Sequence, residues 1–337
     1  MKKPTPRRLE ELLTRMKKMR VLVVGDVGID RYTTGLVERV SPEAPVPIVL
    51  VTSEVHKMGL AANVTDNVHA LGAKSDLIGV IGKDRFAGDF KDLLKTVHAS
   101  TRGLVEDSER RTIVKERIVS DRQQVVRVDY ETLAPVSAKI EKEILKRVQT
   151  LLKQSDILIL QDYAKGMLSP ELVKKVFSAA KKARVPVAVD PNAKSPLALY
   201  VGATFLTPNT REAEKLAGID ITDEKSLKRV GEKILKMTKA KHVVITLGKD
   251  GMAVFNRGQK QVQMIPTFAR EVYDVSGAGD TVISIMALAY AAEGSIEESA
   301  ILGNLGAGVV VGKRGTATVN HEEILTSLEL ARMAGVL

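Results

Sequence analysis

Apolar residues fall along this chain in two alternating patterns. Short, nearly continuous apolar runs at Val21–Gly25, Asp76–Ile81, Ile157–Leu160, Val187–Val189, Thr204–Leu206 and His242–Thr246 have the length and β-branched content of strands. Between them, helical periodicity runs over Ala61–Leu71, Phe86–Val97, Ser137–Lys153, Pro170–Ala183 and Asp223–Thr238. Three more helices are expected near Ala278–Ala292, Ile296–Val311 and His321–Ala334. Strands apolar on both faces and separated by helices predict an α/β domain, with a mostly parallel sheet covered on both sides. Two stretches depart from this alternation. Residues 33–56, with Pro42, Pro45 and Pro47 among β-branched residues, and residues 103–131 predict short antiparallel strands, the components of a small β lid on the sheet edge. A surface loop with an edge hairpin is the plainer alternative.

Composition adds limits. The 337 residues, 44% hydrophobic and 27% charged, suit one large domain spanning 1–337. The absence of Cys removes disulfides and thiolate metal sites and fits a reducing cytoplasm. The net charge of +10 is concentrated at the start, where residues 1–20 hold eight basic side chains against Glu10 and Glu11. That basic extension, residues 1–19, is expected to be a solvated helix, and no nucleic-acid partner is expected, since aromatic residues are few and Trp is absent. The longest apolar run, Val282–Ala292, is too short for a membrane span, and no signal peptide is evident. The five His residues have no metal-ligand spacing.

Candidate chemistry begins with Asp274-Val-Ser-Gly-Ala-Gly-Asp280-Thr, placed directly before an apolar helix. Small residues at Gly277, Ala278 and Gly279 let a tight turn aim N–H groups at an anion, aided by the helix dipole. Asp280 could then take a proton from a hydroxyl while those amides hold a phosphoryl group. An ordinary Asp cap after a Gly-rich turn fits the same residues. Upstream, Gly25-Asp26-Val-Gly-Ile-Asp30 puts two carboxylates at the end of the first strand, where open α/β sheets bind ligands. Asn209-Thr210-Arg211-Glu212 sets two oxygen donors on one face of a helix start, suited to Mg²⁺ through water.

Together these segments resemble the ribokinase (PfkB) family of carbohydrate kinases, from about Arg20 to Val319 and in the family's order. The resemblance implies a ribokinase-like three-layer α/β sandwich, with Asp280 as base and Gly277, Ala278 and Gly279 as anion hole. It implies ATP and Mg²⁺ as cofactors, with Asn209, Thr210, Arg211 and Glu212 on the metal and phosphate side. Thr246, Gly248 and Gly251 of Thr246-Leu-Gly-Lys-Asp-Gly251, with Asn304, would bind nucleotide. Asp26, Asp30, Gly59, Asn63 and Asp190 would bind sugar. For part of the family a monovalent cation near Asp274 and a homodimer through the lid are also implied. Gly59-Leu60-Ala-Ala-Asn63 departs from the family's Gly-Gly-x-x-Asn at Leu60.

Within the family, Arg39–Pro47, Gln161-Asp-Tyr-Ala-Lys-Gly166, Glu271–Thr281 and Gly308–Thr316 resemble the kinase half of heptose-7-phosphate kinase/adenylyltransferases. That implies phosphorylation of the anomeric hydroxyl of D-glycero-β-D-manno-heptose 7-phosphate, and a cationic grip on the substrate phosphate, with Arg122 and Lys165 as candidates and Lys194 as a third. Leu60, and Asp190-Pro-Asn192 where these kinases have Asp-Pro-Lys, leave other acceptors open (fructose, ribose or a nucleoside), and Leu60 also leaves open a silent sugar- or nucleotide-binding regulator. No His-x-Gly-His nucleotidyltransferase motif occurs in the sequence.

Overall fold

A computed structural model describes residues 4–120, 123–269, 272–313 and 315–336. Its first element is helix α1 (Pro6–Met16), and thirteen strands follow: β1 (Arg20–Gly25), β2 (Val27–Val40), β3 (Pro47–Leu60), β4 (Lys74–Ile81), β5 (Leu104–Glu106), β6 (Ile113–Ser120), β7 (Gln123–Tyr130), β8 (Ile157–Gln161), β9 (Val187–Asp190), β10 (Phe205–Leu206), β11 (His242–Thr246), β12 (Met252–Asn256) and β13 (Gln263–Ile265). The remaining helices are α2 (Ala61–Ala70), α3 (Arg85–Thr96), α4 (Ala138–Leu151), α5 (Pro170–Ala183), α6 (Thr210–Ala217), α7 (Glu224–Thr238), α8 (Ala278–Ala291), α9 (Ile296–Val310) and α10 (His321–Met333).

Nine strands form one sheet in the order β13-β12-β11-β10-β9-β8-β1-β4-β5, all running in one direction except β12, which pairs antiparallel with β11 and β13. Side chains alternate along each strand, so the sheet has two apolar faces. Val21 and Val23 of β1 face one core with α1, α2, α3, α8, α9 and α10. Leu22 and Val24 face the other with α4, α5, α6 and α7. The expected three layers therefore form around two cores. From β1 the chain moves to β4 and β5 on one side, and later from β8 to β11 on the other. Ligand crevices lie at such reversals, outside the carboxyl ends of the strands. Parallel pairing sets Gly25, Gln161 and Asp190 in one row at that edge. A Cβ on Gly25 would lie 2.3 Å from the Gln161 carbonyl oxygen, so only glycine closes this row.

The small second sheet, ordered β3-β2-β6-β7, is built from the two expected stretches, with different limits. Its two long strands begin and end at the main sheet, at Val27 and Leu60. Residues 104–106, expected in the lid, instead pair in parallel with β4 as the edge of the main sheet.

The N-terminal extension corrects an expectation. α1 is not a solvated helix: Leu9, Leu12 and Leu13 are fully buried and Met16 is 1% exposed. Their spacing of three and four residues puts them on one face, which packs on α8 and α10 while the basic residues point outward. Arg8 and Arg15 tie its outer side to Glu298 and Glu293. Among the described residues no helix is long and apolar enough to cross a membrane.

Candidate active site

At the carboxyl edge of the sheet, Gly277 ends the approach to α8 with φ 81°, a left-handed conformation that favours glycine. A Cβ there would also sit 3.0 Å from Asn63 Nδ2. This turn places Asp280 in the first turn of α8, pointing into the cleft and 9% exposed. Asn63, from the first turn of α2, donates to Asp280 Oδ2 at 2.7 Å. Tyr163 Oη and Gln161 Nε2, from the end of β8 and the loop after it, donate to Oδ1 at 2.7 and 3.0 Å. Burial pushes the Asp280 carboxyl up to about 6; the bonds from Asn63 and Tyr163 oppose that rise, and the charge of Asp30 adds to it.

Asp190 lies beside this group. Gln161 Nε2 also donates to its Oδ2 at 2.6 Å, and Thr207 to its Oδ1 at 3.3 Å. Burial, then the negative charges of Glu212 and Asp280, raise its pKa well above the usual carboxylate range. Glu212 is itself raised by burial. Glu212 and Asn209 form a capping box: Asn209 Oδ1 accepts from the Glu212 amide at 3.0 Å, and Glu212 Oε2 from the Asn209 amide at 2.9 Å. The Asn-x-x-Glu pattern thus caps α6 while holding Glu212 near Asp190. Burial disfavours the charged form of all three carboxyls gathered here, and for Asp190 the negative charges of Glu212 and Asp280 add to it. Among the described residues, no group of three or more His, Asp or Glu is arranged to hold a metal by itself.

The expected nucleotide residues gather on the other side of α8. Thr246, Gly248, Gly251, Gly279 and Asn304 line a cavity of about 280 Å³ between β11, β12, α8 and α9. Thr210 reaches its rim by donating to the Thr246 carbonyl at 3.2 Å. Arg211 is exposed and does not line the cavity. Asn304 donates to the Pro266 carbonyl at 2.7 Å, fixing the segment that closes this side.

The expected sugar residues divide. Asp30 lies on β2, in the small sheet, and accepts from Arg117 at 2.6 Å. Gly59 lies on the neighbouring β3, where a Cβ would meet Asp30 Oδ2 at 3.0 Å. Asp26 is turned away from these groups; it accepts from the backbone amides of Lys165 and Met167 at 3.0 and 3.2 Å and so fixes the loop after β8. Burial lifts its pKa to about 6 despite those two bonds. Lys165 is not a free cation, since its Nζ pairs with Glu131 at 2.7 Å. Arg122 lies outside the described residues. Asp274 accepts from the amides of Ser276 and Gly315, joining the turn before α8 to the loop after α9. Leu60 is buried, and its φ of 57° and ψ of −137° lie where Gly is favoured, a strain of about 1–3 kcal/mol.

Two groups at the centre, Gln161 and Tyr163, stand in the Gln161–Gly166 segment that carries the finer resemblance but were given no site role from the sequence. Their signal was position, since both lie in the segment ending the apolar run 157–160 at the carboxyl edge of the sheet. Lys57 and Arg117 were also missed. They lie 5.7 and 5.5 Å from the centre of the Tyr32 ring, and Lys57 Nζ donates to the Thr316 carbonyl at 2.9 Å.

Known proteins share this architecture. The fold matches a ribokinase of Arabidopsis thaliana, solved with ribose and ATP, at a TM-score of 0.74 and 19% identity, covering 93% of this chain and 99% of that one. Phosphofructokinase-2 of Escherichia coli, solved with potassium, matches at a TM-score of 0.75 and 18% identity, covering 94% and 99%. In sequence, the bifunctional protein HldE of Geobacter sulfurreducens is 41% identical over 320 residues, 95% of this chain and 65% of its own length. HldE of Aliarcobacter butzleri is 40% identical over 308 residues, 91% of this chain and 64% of its own length. This chain thus spans just under two thirds of the length of these relatives. Residues 19–323 match the family model described as pfkB family carbohydrate kinase, and the chain belongs to that family of carbohydrate kinases.

Proposed function

We propose that the chain transfers the γ-phosphoryl group of ATP to the anomeric hydroxyl of D-glycero-β-D-manno-heptose 7-phosphate, with Asp280 as general base. The observation that carries the chemistry is the buried Asp280 carboxylate in the first turn of α8, between the row at the sheet's carboxyl edge and the 280 Å³ cavity. A base there faces acceptor on one side and nucleotide on the other. A carboxyl held at about 6 is ionised at neutral pH yet basic enough to draw a hydroxyl proton as charge develops. The amides at Gly277, Ala278 and Gly279 open a helix and suit the transferring phosphoryl group.

Sugar hydroxyls would meet Asp30, Asn63 and the backbone at Gly59. Nucleotide would occupy the cavity lined by Thr246, Gly248, Gly251 and Asn304. Asp190 and Glu212 offer hard oxygen ligands, and their raised pKa values suit a site completed by Mg²⁺, held through water and phosphate oxygens. Such an ion would neutralise charge on the phosphates. The same loops around Asp274 and Gly315 are the proposed place for a monovalent cation.

The heptose assignment rests on the segments that resemble heptose-7-phosphate kinases and on the HldE relatives at about 40% identity. It fits the cations on the lid side: Lys57 and Arg117 flank Tyr32 beside Asp30 and Thr316, where an acceptor carrying its own phosphate needs positive charge. The small sheet, continuous with β1 and α2 at either end, is proposed as the lid. Its strands expose Val37, Val40, Leu50, Val51, Val55 and Val126, and we propose that a second copy of the chain covers them. ADP release measured with ATP, Mg²⁺ and a panel of sugars tests the function. Turnover is expected to be highest with the heptose 7-phosphate; higher kcat/KM on ribose, fructose or a nucleoside would replace the substrate, and no turnover on any acceptor would sink the kinase proposal.

A further inference from the structure

An ionised carboxylate has two oxygens and about four lone-pair positions. On Asp280 these are filled unequally. Oδ1 accepts from both Tyr163 Oη, at 2.7 Å, and Gln161 Nε2, at 3.0 Å; Oδ2 accepts from Asn63 Nδ2 at 2.7 Å. We propose that Tyr163 is a positioning residue for phosphoryl transfer: with Gln161 it saturates Oδ1, fixes the carboxylate plane, and leaves the open position on Oδ2 as the proton acceptor.

This rests on Asp280 being the base. Tyr163 is suited to be a lasting donor. Burial, followed by the negative charges of Asp280 and Asp190, raises its phenol far above the ordinary value, so it keeps its proton throughout the working range. Gln161 cannot orient the carboxylate alone, because the same amide nitrogen also serves Asp190 at 2.6 Å. When the acceptor hydroxyl gives its proton to Oδ2, the O–H bond breaks and a new O–H bond forms on Asp280. The hydroxyl oxygen bonds to phosphorus as the bond to the ADP oxygen breaks, and ADP leaves with that electron pair. Tyr163 exchanges no proton in this step.

The charged and titratable groups around Asp280 are Asp30 from β2, paired to Arg117 of β6, Asp190 from β9 and Tyr163 itself, while Glu212 from α6 acts on Asp190. Of these, Tyr163 alone donates a hydrogen bond to the carboxylate, while the acidic groups repel its charge. Losing the phenol therefore makes the anion harder to form.

The test compares the pH dependence of kcat/KM for the unaltered protein, Tyr163→Phe and Asp280→Asn. Tyr163→Phe is expected to move the acid limb upward by about one pH unit and to lower kcat roughly tenfold with a smaller change in KM. Site-specific replacement of Tyr163 by 3-fluorotyrosine, a stronger donor of the same shape, is expected to move the limb downward and keeps the test valid if the Phe variant folds poorly. An acid limb unchanged in both Tyr163 variants, with Asp280→Asn inactive, overturns the positioning role and leaves the base intact. Activity of Asp280→Asn within tenfold of the unaltered protein overturns the base itself, and the role of Tyr163 with it.

Discussion

Replacing Asp280 with Asn removes a buried charge while nearly preserving shape, and its effect on stability follows from the titration. The folded carboxyl titrates at about 6 against an ordinary value of 3.8, so between these pH values the folded state binds more protons than the unfolded state. Stability therefore falls as pH rises through this window and stays lower above it. The difference corresponds to about 3 kcal/mol at pH 8, an upper bound, and to about half of that at pH 5. Asparagine carries no such penalty. It can still accept from Asn63 through its oxygen and donate from its amide to the Tyr163 oxygen, while the bond from Gln161 Nε2 is lost, which makes the figure an upper bound on the gain. Urea unfolding at pH 8 and pH 5 measures the gain. The variant is expected to be more stable by up to about 3 kcal/mol at pH 8, with a clearly smaller gain at pH 5, while kcat falls roughly 10²–10⁴-fold. A variant less stable than the unaltered protein at pH 8, or a gain independent of pH, would refute the claim that Asp280 is held ionised at a cost to the fold.

Other outcomes follow from single contacts. Glu212→Gln keeps an N3 residue able to complete the capping box but removes a charge beside Asp190; the Mg²⁺ concentration for half-maximal rate should rise about tenfold with thermal stability unchanged, and an unaltered Mg²⁺ titration would remove Glu212 from the metal side. Leu12→Ala, in the fully buried face of α1, should cost about 2–5 kcal/mol in urea unfolding; a loss below 1 kcal/mol would return α1 to a surface extension. The unaltered protein is expected to sediment as a dimer and Leu50→Lys, on the exposed face of the small sheet, as a monomer; an unchanged mass would place the interface elsewhere.

Much of the fold was legible in the chain. The centres of β1, β4, β8, β9 and β11 coincide with continuous apolar runs, because strands buried on both faces need them along their whole length. Helices α5 and α7 lie where periodicity put them, and the structure shows Ser169 and Asp223 accepting from their N3 amides as caps. What local pattern could not supply was partnership. Leu104–Glu106 has the same composition as lid strands, and only its pairing with β4 assigns it to the main sheet. The basic residues of α1 concealed its apolar face, since charge count carries no helical phase. In the site, Asp280, Asn63 and the glycine turn were legible from small-residue motifs. The segment holding Gln161 and Tyr163 was legible as a resemblance, but their place beside Asp280 was not, because it depends on a sheet register that sets β8 beside β1 and β9 and on a helix more than a hundred residues later. Lys165 shows the converse: its motif suggested a phosphate ligand, yet it lies paired with Glu131.

The most direct measurement is the ³¹P spectrum of the product formed from ATP, Mg²⁺ and D-glycero-β-D-manno-heptose 7-phosphate. A new phosphate resonance coupled to the anomeric proton, appearing together with ADP and absent with Asp280→Asn, is the expected result. ADP formation with no anomeric phosphate, or the same product at a comparable rate from Asp280→Asn, would contradict the account.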